Sequence, residues 1–215
     1  MTRQHLIANI VLILAATVLT AFCWPQLPES IAIHWNLAGE PDGWAGRWTL
    51  WLTGPGLMAL LLAIGAALPY LSPRDFSVAS FGATAGHIVT LIVLMAGAVH
   101  VLLLAGNFNM DIDIARVVPA GVFLLLILIG NPLGKVRRNF YIGIRTPWTL
   151  ASERVWYATH RMGARVMVAT GMCGLAAVLL RAPAPMLLAL IAAAALLPVL
   201  YSLMLYKRLE RKGQV

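Results

Sequence analysis

The feature that most constrains this chain is the succession of long apolar stretches along it. Six of them approach the roughly 20 residues that an α-helix needs to cross a bilayer core of about 30 Å. They cover residues 6–24, 52–71, 83–105, 115–133, 164–181 and 184–206. Because 60% of the residues are hydrophobic and only 11% are charged, too little polar surface is present to cover a soluble globule. The sequence therefore predicts an all-α, polytopic membrane helix bundle of about six transmembrane helices, with residues 1–215 forming a single membrane domain.

The distribution of basic residues predicts how the bundle is oriented. If the amino terminus is cytoplasmic, only Arg47, Arg116 and Arg181 of the 16 Lys and Arg residues lie outside. Lys and Arg are enriched in short cytoplasmic loops, and this bias sets topology. We therefore expect an N-in, C-in protein with loop 131–165 in the cytoplasm and loop 25–51 outside, in contact with membrane lipids. No nucleic-acid-binding module accompanies the basic charge, so direct nucleic-acid binding is not expected.

The outer loop, residues 25–51, is predicted to hold a short extended segment. Ile31, Ile33 and Trp35 alternate with Ala32 and His34, which is the pattern of a half-buried strand and is compatible with a small β-hairpin. Turn-forming residues follow at 36–39 and 41–43.

Two interpretations apply to the side chains of this outer loop. The five tryptophans in this loop and directly before it suit the headgroup layer, because the indole combines an apolar ring with a polar N–H. Alternatively, the polar side chains form a binding surface for a secreted ligand; these are His34, Asn36, Glu40 and Asp42. Their spacing matches no metal-binding signature, so no metal site is predicted.

The cytoplasmic loop is predicted to contain both extended and helical segments. Residues 140–145 look extended, with Gly143 permitting a close approach or an unusual φ. Thr146 and Pro147 then begin a helix, because proline is tolerated in a first turn. From about residue 150 the pattern is helical and continues into the fifth span.

On that helix four functional side chains share one face. Glu153, Trp156, Tyr157 and His160 fall at i, i+3, i+4 and i+7, and Arg145 is within reach from the preceding segment. One interpretation is a binding surface for an anionic headgroup or a partner protein. The other is a solvated helix with a Glu–Arg network and interfacial aromatic residues, which we favour on physical grounds. Because no nucleophile, metal triad or phosphate loop accompanies Glu153 and His160, no catalytic residue and no cofactor is assigned.

Two histidines, His87 and His100, lie within the third span. Ionisable groups inside a membrane are candidates for function. However, no Asp or Glu lies inside any of the six stretches, so interhelical hydrogen bonding is favoured over a proton-coupled transporter.

Two sequence blocks resemble a known family more specifically than any of these patterns. Residues 130–163, GNPLGKVRRNFYIGIRTPWTLASERVWYATHRMG, are similar to the hallmark of the SdpI family of bacterial membrane proteins. The outer block from Pro28 to Trp44, with I-x-I-H-W-N-x-x-G-x-P-D-G, resembles the uncharacterised domain that often precedes it. The resemblance places a partner- or ligand-binding site on Asn131, Asn139, Gly143, Arg145, Thr146, Pro147, Trp148, Thr149, Glu153, Trp156 and His160. It places an outer-loop site on His34, Trp35, Asn36, Gly39 and Asp42.

The resemblance also implies a function. The family is named after a bacterial immunity protein that protects against a secreted, membrane-active toxic peptide and holds a transcriptional repressor at the membrane. We therefore expect a multi-pass immunity and signalling protein of the bacterial cytoplasmic (inner) membrane, and not an enzyme. The alternative is a membrane enzyme or lipid-binding protein that uses Arg145, Glu153 and His160.

Overall fold

The computed structural model describes residues 1–36, 38–108, 110 and 112–215. In this part of the chain six helices are long and apolar enough to cross a membrane, and they cover Arg3–Gln26, Thr49–Leu71, Arg74–Asn107, Ile114–Leu133, Glu153–Leu179 and Ala184–Glu210. The predicted all-α membrane bundle is therefore confirmed. The fifth of these spans, Glu153–Leu179, has 27 residues. At 1.5 Å per residue it is about 40 Å long, which exceeds the thickness of a bilayer core.

Eight helices and two strands make up the spans and the segments that connect them. The helices are α1 (Arg3–Cys23), α2 (Thr49–Trp51), α3 (Leu57–Leu71), α4 (Gly82–Asn107), α5 (Ile114–Leu133), α6 (Pro147–Ala151), α7 (Glu153–Leu179) and α8 (Ala184–Glu210). The two strands are β1 (Ser30–Trp35) and β2 (Pro41–Gly46), and a π-helical turn over Leu52–Gly56 joins α2 to α3.

The outer loop folds into a two-stranded antiparallel hairpin of β1 and β2. The predicted alternation is wrong, because Ile31 and Ala32 are both buried while Ile33 is exposed. A register shift between Ala32 and His34 breaks the two-residue period at this point, as a β-bulge does. The predicted turn at 41–43 is also wrong, since these residues open β2.

The bundle has a hairpin end and a loop end. At the hairpin end, Leu27, Ile31 and Leu50 pack against Leu103 and Leu104 of α4. At the loop end, Leu133, Val136 and Trp156 pack against residues of α3 and α4 in one apolar cluster. The carboxyl-terminal tail reaches this loop end, because Arg154 Nη1 donates to Gln214 Oε1 at 3.4 Å.

The second half of the bundle is held together by close contact of α5 and α7. Gly171 and Gly174 of α7 face Phe123 of α5, where a Cβ atom would collide with the ring or its backbone. Small residues allow helices in a membrane to approach in this way. The loop that connects α5 to α7 therefore lies at the end of this closely packed helix pair.

Candidate functional site

The motif loop, residues 134–152, connects α5 to α7 and folds back onto the bundle. Residues 140–143 form a series of bends and residues 144 and 145 are irregular, so the predicted extended segment is wrong. The short helix α6 begins at Pro147 as expected. The shape of the loop is set by side chains that contact its own backbone, and several of these are the residues singled out from the sequence.

Asn139 organises the bends with four hydrogen bonds. Its Oδ1 accepts from the backbone N–H groups of Tyr141 and Ile142, each at 2.7 Å. Its Nδ2 donates to the carbonyls of Arg137 at 2.8 Å and Ile142 at 2.9 Å. Because Asn139 is completely buried and fully bonded, it holds the loop rather than a ligand.

His160 fastens the same bends to α7. Its Nδ1 donates to the carbonyl of Trp156 at 2.8 Å, and its Nε2 accepts from the N–H of Ile144 at 3.0 Å. This pair of partners requires the neutral imidazole with the proton on Nδ1. The ring also stacks on Trp156 with centroids 4.0 Å apart, and Trp156 Nε1 donates to the carbonyl of Val136 at 2.8 Å.

Gly143 lies directly against the imidazole. Its φ is +116°, a region that L side chains rarely adopt. A Cβ atom here would fall inside van der Waals contact with Nε2 of His160. The prediction that Gly143 permits a close approach and an unusual φ is confirmed.

Three further motif residues shape and anchor α6. Thr146 caps the helix, since its Oγ1 accepts from the N–H of Thr149 at 3.3 Å, and Thr149 Oγ1 accepts from the N–H of Thr146 at 2.8 Å. Thr149 Oγ1 also contacts the carbonyl of Ile144 at 2.8 Å. Trp148 Nε1 donates to Ser202 Oγ at 2.6 Å, which ties α6 to α8.

The remaining motif residues are each exposed at the loop end of the bundle. They are Asn131, Arg145, Pro147 and Glu153. Arg145 donates from Nη1 to the carbonyl of Phe140. Glu153, with 65% of its side chain exposed, lies 3.8 Å from the Nη2 of Arg138. We call these four residues the exposed motif surface.

The expected polar-aromatic face on α7 is not one surface. Trp156 and His160 are completely buried beneath the motif loop, and only Glu153 of the predicted face is exposed. In the alternative interpretation the interfacial tryptophan is wrong, because Trp156 is buried, whereas a Glu–Arg pair is present between Glu153 and Arg138. Since both nitrogens of His160 bond to backbone groups, the Arg145–Glu153–His160 arrangement offers no free imidazole nitrogen for general acid–base chemistry.

At the hairpin end the predicted outer residues divide in a similar way. His34 Nδ1 and Asp42 Oδ1 lie 2.5 Å apart, with 71% and 44% of their side chains exposed. Asn36 Oδ1 accepts from the N–H groups of Ala38 at 2.9 Å and Glu40 at 3.0 Å and so shapes the turn. Gly39, with φ +82°, completes the turn.

Trp35 lies on the inner side of the hairpin. It packs in the cluster beneath β1, and its ring covers Gly106 of α4. It also borders a cavity of about 260 Å³ that the hairpin shares with α5 and α8. By contrast, Trp44 and Trp48 are well exposed.

Three polar residues that the sequence did not single out fix the loop and the hairpin. Arg138 donates to the carbonyl of Leu150 at 3.0 Å and lies over the ring of Phe76. Arg47 donates to the carbonyl of Leu27 at 3.0 Å. Asn107 pairs with the backbone of Ala32 as a neighbouring strand would, accepting at 2.8 Å and donating at 2.9 Å. The only available signal for Asn107 was a lone amide at the end of an apolar stretch.

No group of three His, Cys, Asp or Glu side chains that could hold a metal ion occurs among the residues that the structure describes.

Two regions of the chain, one containing the hairpin and one containing most of the motif loop, match known protein families. Residues 135–202, which include most of the motif loop, match the SdpI/YfhL protein family. This part of the chain is therefore similar to the SdpI family, as its motifs predicted. Residues 11–59, which include the hairpin, match a domain of unknown function, DUF1648. A curated relative is the Immunity protein SdpI of Bacillus subtilis (strain 168), 26% identical over 165 residues, which are 77% of each chain. No solved structure matches the chain.

Proposed function

We propose that this protein is an immunity protein of the cytoplasmic membrane that protects its cell against a secreted, membrane-active toxic peptide. The observation that carries the proposal is the similarity to the Immunity protein SdpI, which extends over 77% of the chain. At 165 residues, that similarity is longer than half of the six-helix bundle.

The hairpin is the part of the protein that we expect to meet the toxic peptide. Charge bias places it outside the cell, and its His34–Asp42 pair and Trp44 are exposed there. An exposed polar pair beside an exposed indole suits a peptide that lies in the headgroup layer, because both apolar and polar contacts are then available.

We further propose that the exposed motif surface binds a cytoplasmic transcriptional repressor when the toxic peptide is present. The buried motif residues, such as Asn139 and His160, give the loop a fixed shape. The exposed ones, such as Arg145 and Glu153, then stand at defined positions for recognition. Preorganised surfaces bind with less loss of conformational freedom than mobile loops do.

The test of protection is survival of a sensitive cell. The chain is expressed in a Bacillus subtilis strain that lacks its own SdpI, and the strain is challenged with the peptide that SdpI protects against. Secreted peptides encoded beside the gene for this chain are tested in parallel. We expect higher survival than with an empty vector; killing by every peptide, despite verified membrane insertion, would refute the proposal.

The test of recruitment is the location of the repressor encoded nearby. Membrane fractions from cells with and without the toxic peptide are probed for that repressor. We expect repressor in the membrane fraction only when both the peptide and this protein are present. Equal amounts with and without this protein would exclude recruitment while leaving protection to stand.

A further inference from the structure

A polar contact inside the membrane joins α1, α4 and the π-helical turn. His100 of α4 is completely buried, and its Nε2 lies 2.8 Å from Thr20 Oγ1 of α1. Thr20 Oγ1 donates to the carbonyl of Ala16 at 2.7 Å, so the imidazole must donate from Nε2. His100 therefore has its acceptor nitrogen, Nδ1, on the other side of the ring.

That acceptor nitrogen faces Gly54 in the π-helical turn. The conformation of Gly54, φ −95° and ψ −107°, is not helical, and Pro55 follows it. A Cβ atom on Gly54 would overlap the imidazole at Nδ1. Nδ1 has no hydrogen-bond partner within the described ranges. Buried polar groups are rarely left without a partner, and π-helical turns concentrate at functional sites.

Each of the three elements that meet at His100 also holds the hairpin. On α4, Asn107 lies two turns beyond His100 and bonds to Ala32 of β1. Trp24 directly follows α1, one turn beyond Thr20, and Arg47, the residue after β2, lies over its ring at 4.8 Å. The π-helical turn follows α2, which begins three residues after β2 ends. Three structural connections therefore link the surroundings of His100 to the hairpin.

We propose that the contact of Thr20, His100 and Gly54 is a latch within the membrane that sets how firmly the outer hairpin docks on α4. His100 is a positioning residue in this latch. With the imidazole seated on Gly54, α1 and α4 hold Asn107 and Trp24 at the spacing that the hairpin requires. When the imidazole leaves this seat, the hairpin stays folded but its contact with Asn107 loosens.

Hydrogen exchange of two amides separates docking from folding of the hairpin. The Ala32 amide donates to Asn107 Oδ1 and reports docking. The Asn36 amide donates to the carbonyl of Glu40 at 2.9 Å and reports the turn itself. Exchange is measured on the full chain in lipid nanodiscs, without toxin, so the result is independent of the immunity proposal.

The variants are Thr20→Val, Gly54→Ala, His100→Ala and the double variant of the last two. We expect Thr20→Val and Gly54→Ala to speed exchange at Ala32 by roughly tenfold or more, with Asn36 unchanged. Adding His100→Ala to Gly54→Ala removes the overlap and should bring Ala32 exchange back toward the His100→Ala value. Gly121→Ala, where a Cβ atom would meet only Met95 Cε at 3.9 Å, is the matched control and should change neither amide.

Two results would overturn the latch. One is unchanged Ala32 exchange in Thr20→Val, the mild variant that preserves side-chain shape. The other is a double variant in which the effects of Gly54→Ala and His100→Ala simply add, because independent sites behave in that way.

Discussion

His160 Nε2 accepts a hydrogen bond from the backbone N–H of Ile144 at 3.0 Å, although the two residues are sixteen positions apart. A helix side chain thus fixes the bends that precede it in the chain. This contact explains why an imidazole in a motif loop is buried, and why Gly143 lies beside it.

Replacing His160 with alanine should release the bends of the motif loop. The N–H of Ile144 loses its partner, and a buried unsatisfied donor costs about 1–3 kcal/mol. We expect faster hydrogen exchange at Ile144 and a lower thermal midpoint in detergent. Arg161→Ala, at the exposed neighbouring position, serves as the control. Unchanged exchange at Ile144 in His160→Ala would contradict the assigned hydrogen bond.

Gly143→Ala should destabilise the motif loop by more than its positive φ alone explains. Gly213 also has a positive φ, +63°, but a Cβ atom there meets nothing within 4 Å. Gly213→Ala therefore places alanine at a left-handed φ without a collision, which costs about 1–2 kcal/mol locally. The φ of Gly143 lies outside that region, so Gly143→Ala should lower the thermal midpoint further, through backbone strain and the collision with His160 together. Equal midpoints for the two variants would contradict this account.

The hairpin residues Asn36 and Asp42 should respond differently to substitution. Asn36→Ala removes the acceptor of two backbone N–H groups, so exchange at Ala38 and Glu40 should rise. Asp42→Asn changes an exposed pair, which is worth about 0–1 kcal/mol, so exchange in the hairpin should hardly change. If Asp42 contacts the toxic peptide, the second variant alone should lose protection while its hairpin remains folded.

Glu153→Ala tests the exposed motif surface without disturbing the loop. Its carboxylate is mostly exposed and 3.8 Å from Arg138, so the stability change should stay within about 0.5 kcal/mol. We expect repressor to be lost from the membrane fraction while the thermal midpoint stays constant. Glu210→Ala is the matched control, because that exposed acid pairs with Lys207 at 2.8 Å and lies outside the family match. Equal recruitment by both variants would count against a role for Glu153.

Hydropathy alone was enough to locate the six spans, because the membrane requires a fixed length of apolar helix. The same reasoning placed the start of the helical run leading to α7 near residue 150, and α7 begins at Glu153. Thr146 and Pro147 identified the start of α6, since their roles at a helix start are local. The side of the membrane on which each end lies remains a prediction from charge.

The contacts of the candidate site were not predictable from local pattern. Helical spacing correctly placed Glu153, Trp156 and His160 on one face, but whether that face met solvent depended on bends 16 residues away. The alternation in β1 failed because Ile31 and Ala32 are both buried and a register shift between Ala32 and His34 accompanies the exposed Ile33. The pairing of Asn107 with Ala32 joins residues 75 positions apart, which no local rule reaches.

Survival under toxin challenge tests the immunity proposal most directly. Colony counts are compared between sensitive cells that carry this chain and cells that carry an empty vector, after exposure to increasing amounts of the secreted toxic peptide. The account predicts that cells with the chain survive doses that kill the control, at equal growth without peptide. Identical dose–survival curves for every peptide tested, with the protein verified in the membrane, would contradict it.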